Sequence, residues 1–285
     1  MEEFLKLLEI GLQTFDVGQN PQVFLVLFFL TFARFFAFVF IVPFFGGKAV
    51  PLLVKIAVAV SFVAIAFPFA VTQLPADGNN LGFGAVGFAG LLAKEIFIGF
   101  TLGFVASMVF EAVRAAGRLA DYQRGSTMSE LLAPQSEERF SELGGFKLQL
   151  AVVVFLTTGA HLFFIGSLIK SFELIPVFKF PEIESGWTPA AEFITMMSAS
   201  VISLGVQLAV PIVVTLLLTD LFFGLINRVT PEINAFFLSL PVKMWLGLFV
   251  VVVMLPFLIA RMIDYFNISS EAFESTIQFL SRMYH

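Results

Sequence analysis

The sequence contains no cysteine, which removes disulfides, thiolate metal sites and cysteine nucleophiles together. Histidine is nearly missing as well, His161 and His285 being the two present. Charged residues fill 13% of the 285 positions, against about 25% in soluble domains, so little of the chain is suited to water. A net charge of −5 argues against nucleic acid as a partner, which would call for a basic face. Two tryptophans and three tyrosines are too few for the aromatic belt that spanning helices usually place among the headgroups. There is no Walker loop, GxGxxG, HExxH or GxSxG, so no enzyme, cofactor site or metal site is expected. The first residues, MEEFLKLLEIGLQTFDVGQ, are acidic and amphipathic without a basic n-region or small-residue cleavage site, and no removable signal peptide is expected.

What is present is apolar. Mean hydropathy is +0.96 and 39 phenylalanines suit ring-on-ring packing between helices. Apolar runs occupy 23–45, 50–71, 81–113, 148–169, 193–226 and 235–260. Each exceeds the roughly 20 helical residues that cross a hydrocarbon core, and backbone facing lipid must bond within itself, so all six are expected to be helices. The predicted fold is an all-α membrane protein of about six long apolar helices, partly kinked and arranged as hairpins, in a single domain over 1–285. After them, ISSEAFESTIQFLSRMYH repeats Phe273, Ile277, Leu280 and Tyr284 at helical spacing, with Glu271 and Glu274 after Ser269 or Ser270, which predicts a separate amphipathic C-terminal helix. Pro68, Pro211, Pro241 and Pro256 lie in or beside the runs and predict kinks or breaks. Gly99 and Gly103 form a GxxxG for close helix packing. If every run crossed, the Lys and Arg of alternate loops would divide six against seven, which assigns no orientation.

Ionisable residues interrupt this pattern at few places. Arg34, in the middle of VFLVLFFLTFARFFAFVFIV, needs a protein partner; Lys94, Glu95 and Asp220 are also within or beside apolar runs. Two readings stay open for them, pairing between helices or subunits and an ion pathway. His161 is a lone polar residue on its run and is expected to be a packing histidine. Two turns are legible: Gly46 and Gly47 before Lys48, with Pro51 restarting the helix, and NRVTPEIN, where Asn227 suits a helix end and Thr230 followed by Pro231 predicts an N-cap and first helical position. Arg228 there can cap the preceding carbonyls or pair with Asp220. The charged stretch from Arg118 to Lys147, RLADYQRGSTMSELLAPQSEERFSELGGFK, carries nine of the 37 charged residues and by composition must meet water or a charged partner.

The words FARFFAFVFIVPFFGGKAVPLLVKIAVAVSFVAIAFP, KEIFIGFTLGF, AAGRLADYQRGSTMSELLAPQ followed by TTGAHLFFIGSLIKSFELIPV, and LLLTDLFFGLINRVTPEINAFFLSLPVKMWLGL follow one another in the order found in one family. Together they resemble the type III export-apparatus subunit called SctT in virulence secretion systems and FliR in flagella. The resemblance implies a non-enzymatic subunit of the export gate in the bacterial inner membrane, within the secretion-system basal body. It implies as partners SctR-like (FliP-like), SctS-like (FliQ-like) and SctU-like (FlhB-like) subunits in a helical ring around a pore for unfolded proteins. Asp121-Tyr122-Gln123-Arg124-Gly125 looks more like the virulence branch than the flagellar one. The loop after AAG, whose glycine is Gly117, would be the pore plug: Arg124, Gly125, Ser126, Thr127, Met128, Ser129, Leu131, Leu132, Pro134 and on to Phe140, anchored by Arg118, Asp121 and Gln123. Gly125, Ser126, Ser129 and Pro134 disfavour a continuous helix, and Met128, Leu131 and Leu132 make an apolar tip. The alternative from another class is a stand-alone transporter or channel, which would usually carry an internal repeat; none is convincing here.

Overall fold

Uninterrupted runs of Phe, Leu, Val and Ala leave the backbone only its own carbonyls as partners, and every regular element among the described residues is helical. The structure, a computed structural model, describes residues 21–45, 47, 50–71, 84–125, 141–181, 187–232 and 234–284. Its helices are α1 (Pro21–Ile41), α2 (Leu52–Val71), α3 (Ala85–Arg124), α4 (Glu142–Thr157), α5 (Ala160–Leu174), α6 (Trp187–Val229) and α7 (Ala235–Ser281), with 3-10 turns at Pro43–Phe45 and Arg282–Tyr284. Five are long and apolar enough to cross a membrane, and the bent pair α4 and α5 would make a sixth span.

The breaks fall in different places from those the prolines predict. α2, α6 and α7 continue through Pro68, Pro211, Pro241 and Pro256. The run 148–169 instead divides at Thr158 and Gly159, where the axis turns by 74°. Gly159 has φ +77°, a conformation that only glycine adopts without strain. His161 is therefore in the first turn of α5, partly exposed, rather than in the middle of a helix. The C-terminal amphipathic segment is no separate helix but the last turns of the 47-residue α7. Its predicted face is the one buried: Phe273, Ile277, Leu280 and Tyr284 are all at most 4% exposed.

The chain forms two compact units, residues 1–107 with 161–195 and 269–285, and residues 108–160 with 196–268. In the first, α1 and α2 form a hairpin closed by Phe24 on Phe67 and Phe35 on Phe62, with Gly47 in the turn at φ +50°. Pro51 precedes α2 and its carbonyl takes the N–H of Val54 and of Lys55. Gly46 and Lys48 lie outside the described residues. The GxxxG face of α3 rests on α1: a side chain on Gly99 would run into the Arg34 carbonyl, and one on Gly103 would stand 3.2 Å from the Phe38 carbonyl. Phe273 packs on Phe38 and Phe164 at 6.1 and 5.0 Å between ring centres. In the second unit Phe110, Phe155 and Phe266 form a ring triad, and Ala120, Leu143, Ile212, Leu216 and Val251 form an apolar core. Hydroxyls on these helices, such as Thr215 and Thr219, donate to the carbonyl four residues back, so they need no distant partner.

Candidate functional site at the base of the charged insert

α3 ends at Arg124, with Gly125 following at φ +78°, and α4 begins after Ser141, so these two ends bracket residues 126–140. Ser141 is an N-cap whose hydroxyl oxygen accepts the N–H of Gly144 at 3.0 Å. That hydroxyl in turn donates to Asp121 on α3 at 2.7 Å, and the Leu143 N–H donates to the same carboxylate oxygen at 2.8 Å. The other oxygen of Asp121 accepts from Arg124 Nη1 at 3.0 Å. One carboxylate thus joins the near and far ends of the insert across 20 positions of sequence, while also supplying a negative charge to the N-terminus of α4.

Backbone contact reinforces the junction. Gly117 faces Gly144, and a side chain on Gly117 would collide with the Gly144 backbone. On the other side the stem of Arg124 fills the space left by Gly247 on α7, where a Cβ would come within 2.7 Å of Arg124 Cδ. Asp121, Arg124 and Lys147 are 3, 7 and 1% exposed, so two cations and one carboxylate are buried here, of which Arg124 is the cation paired with Asp121. The Lys147 ammonium and Arg124 Nε have no hydrogen-bond partner among the described residues, and the charge acting on Lys147 is that of Asp121. Nearby, Gln123 donates to Asp220 at 3.2 Å, and Asp220 also pairs with Lys243.

Asp220 therefore meets α3 and α7, not Arg228, which is exposed. Asn227 and Pro231 are exposed too, and Thr230 returns its hydroxyl to the Ile226 carbonyl. The helix after them starts at Ala235, with the Asn234 carbonyl accepting the Leu238 N–H, so the predicted start at Thr230 and Pro231 falls about a turn early. Among the predicted plug residues Arg124 and Gly125 are in the base, whereas Ser126, Thr127, Met128, Ser129, Leu131, Leu132, Pro134 and Phe140 lie outside the described residues. The sequence marks Gly144 and Gly145 as the release of the far end of the insert, and Gly144 is instead packed into this base against Gly117. Ser141, Lys243 and Gly247 join it without a role expected from the sequence. Ser141 followed by Glu142 is a legible N-cap signal, while the contacts of Lys243 and Gly247 arise only in three dimensions.

Arg34 belongs to a second polar cluster, in the first unit. Its guanidinium forks onto Glu95 at 2.5 and 3.1 Å, donates to Ser171 Oγ and the Ile175 carbonyl at 3.1 Å each, and lies 4.0 Å over the Phe172 ring. Lys94 pairs with Glu95 at 2.9 Å and donates to the carbonyls of Pro176, Val177 and Lys179. Those carbonyls follow the C-terminal end of α5, where partial negative charge gathers, so both cations complement a helix end.

Over residues 25–268 the chain matches the sequence model of the family described as bacterial export proteins, family 1. It is 28% identical over 267 residues to the flagellar biosynthetic protein FliR of Aquifex aeolicus, across 91% of this chain and 96% of that one. The surface presentation of antigens protein SpaR of Shigella flexneri is 30% identical over 233 residues, across 82% of this chain and 86% of the relative. Yop proteins translocation protein T of Yersinia pestis is 32% identical over 154 residues, across 54% and 58%.

Proposed function

Because the chain belongs to the bacterial export proteins, family 1, we propose that it is a non-enzymatic subunit of a type III export gate in the bacterial inner membrane. In this proposal it joins SctR-like, SctS-like and SctU-like subunits around a pore for unfolded proteins, and residues 124–140 close that pore. The supporting observation is the base at Asp121. A plug must be held at its root while its tip blocks or clears a passage, and here a single buried carboxylate draws both ends of the segment together. An apolar tip of Met128, Leu131 and Leu132 would then exclude water and ions without charge. The relatives carry names from both flagellar and virulence systems, and the proposal applies to a subunit of either.

Deleting Ser126 to Glu137 while keeping Asp121, Arg124 and Ser141 tests this. The assembled complex should form as before and, reconstituted in a planar bilayer, conduct small ions where the intact complex does not. Unchanged conductance from an assembled complex would remove the plug from the proposal.

A further inference from the structure

In the second unit an open groove of about 450 Å³ runs between the C-terminal part of α3 and the first half of α6. Its walls are four pairs of residues spaced i and i+4: Ala115 with Leu119 and Arg118 with Tyr122 on α3, Val201 with Gly205 and Ile202 with Val206 on α6. Rows at that spacing are the ridges by which one helix interlocks with another. Small residues occur on both walls, Ala115 and Gly205, and a Cβ on Gly205 would stand 3.3 Å from the Ala112 carbonyl, so α3 and α6 are already close there. Tyr122 and Ile202 are 71 and 70% exposed, large apolar surfaces held out rather than folded in.

The charge of the groove is equally specific. Arg118 has no ion pair among the described residues, while Glu111 and Arg114 one turn earlier pair with each other at 3.0 Å. Asp121 is buried in the base of the insert, and α6 carries no charged residue from Thr195 to Thr219. An occupant of this groove meets apolar ridges and one uncompensated positive charge at the rim.

We propose that the groove receives an apolar α-helix from another membrane subunit, one carrying an aspartate or glutamate that pairs with Arg118. The parallel ridges favour a helix over a lipid tail, because a flexible acyl chain has no repeating side chains to register with i and i+4 rows. This rests on the chain being one subunit of an assembly. The test is photocrosslinking in the assembled complex with p-benzoylphenylalanine in place of Tyr122 or Ile202, followed by sequencing of the adduct. The adduct should fall on an apolar segment of a different subunit, with an acidic residue within a turn of it. Arg118→Glu should then cut recovery of that adduct roughly tenfold or more, and replacing the partner's acid by Lys should restore it. Adducts confined to phospholipid or to residues 1–20 of this chain, or an assembled complex without adduct, overturn the proposal. A chain that co-isolates with no other subunit overturns both this and the export-gate assignment, so the two failures are distinguishable.

Discussion

Arg34, Lys94 and Glu95 in the first unit, and Arg124, Lys147 and Asp121 in the second, are both sets of two cations around one carboxylate, and all six residues are less than a tenth exposed. They differ in where the surplus positive charge goes. Glu95 gives both oxygens to cations, and Ser171 Oγ with four backbone carbonyls takes further donors of Arg34 and Lys94. Asp121 gives one oxygen to Arg124 and commits the other to Ser141 and Leu143, across the insert. The Lys147 ammonium is left without a hydrogen bond among the described residues. A saturated cluster resists any rearrangement, since every partner lost is a buried charge exposed to apolar surroundings. A cluster whose carboxylate is used to close a loop is a weaker lock, placed where the proposed gate is rooted.

The largest effect should come from Glu95→Gln. It leaves two buried cations facing each other in the first unit, and breaking a buried pair costs about 3–5 kcal/mol, a large part of the stability of most proteins. Folded protein recovered in detergent should fall steeply. Asp121→Asn breaks one ion pair where Glu95→Gln breaks two, and keeps an oxygen for Ser141 and Leu143, so it should cost less, about 1.5–3 kcal/mol, by thermal unfolding in the same detergent. Equal losses for the two would erase the contrast.

The two lysines sharpen it further, because their removal should differ in sign. Lys94→Met strands the Pro176, Val177 and Lys179 carbonyls, each at about 1–3 kcal/mol, and should lower the melting temperature. Lys147→Met replaces an unpartnered buried ammonium by a side chain of similar length, and should leave the melting temperature unchanged or raise it. A fall with Lys147→Met comparable to that with Lys94→Met would mean that Lys147 is as fully partnered as Lys94.

Helices and their apolar faces were legible in the sequence because burial repeats along the chain at short range: the GxxxG of α3 and the stripe Phe273, Ile277, Leu280 and Tyr284 needed only local spacing. That Arg34 must have a partner was legible too, from the cost of an arginine in an apolar run. Its identity was not, since Glu95 is 61 positions away and was visible only as one half of Lys94-Glu95. Proline proved a poor guide to breaks in helices that neighbours support, whereas Gly159 made the actual turn through a positive φ that sequence shows only as one glycine among 21. The base of the insert combined both cases. Asp121 and Gly117 stand in recognisable words, but Ser141, Lys243 and Gly247 acquire their role only when α4 and α7 arrive beside α3.

The smallest effect separates the export-gate assignment from an ion-coupled transporter. Asp220 reaches Lys243 and Gln123 with a side chain 38% exposed, and ion pairs open to solvent contribute under about 1 kcal/mol. Asp220→Asn keeps an acceptor for both partners and removes only the charge. In a gate subunit, where Asp220 helps hold α3, α6 and α7 together, stability should stay within that range and protein export should continue. In a transporter that passes ions by way of Asp220, loss of the charge would abolish transport while leaving the fold intact. Measuring protein secretion, ion-coupled uptake and unfolding on the same variant decides between them: continued secretion at unchanged stability fits the gate, and abolished uptake at unchanged stability fits the transporter.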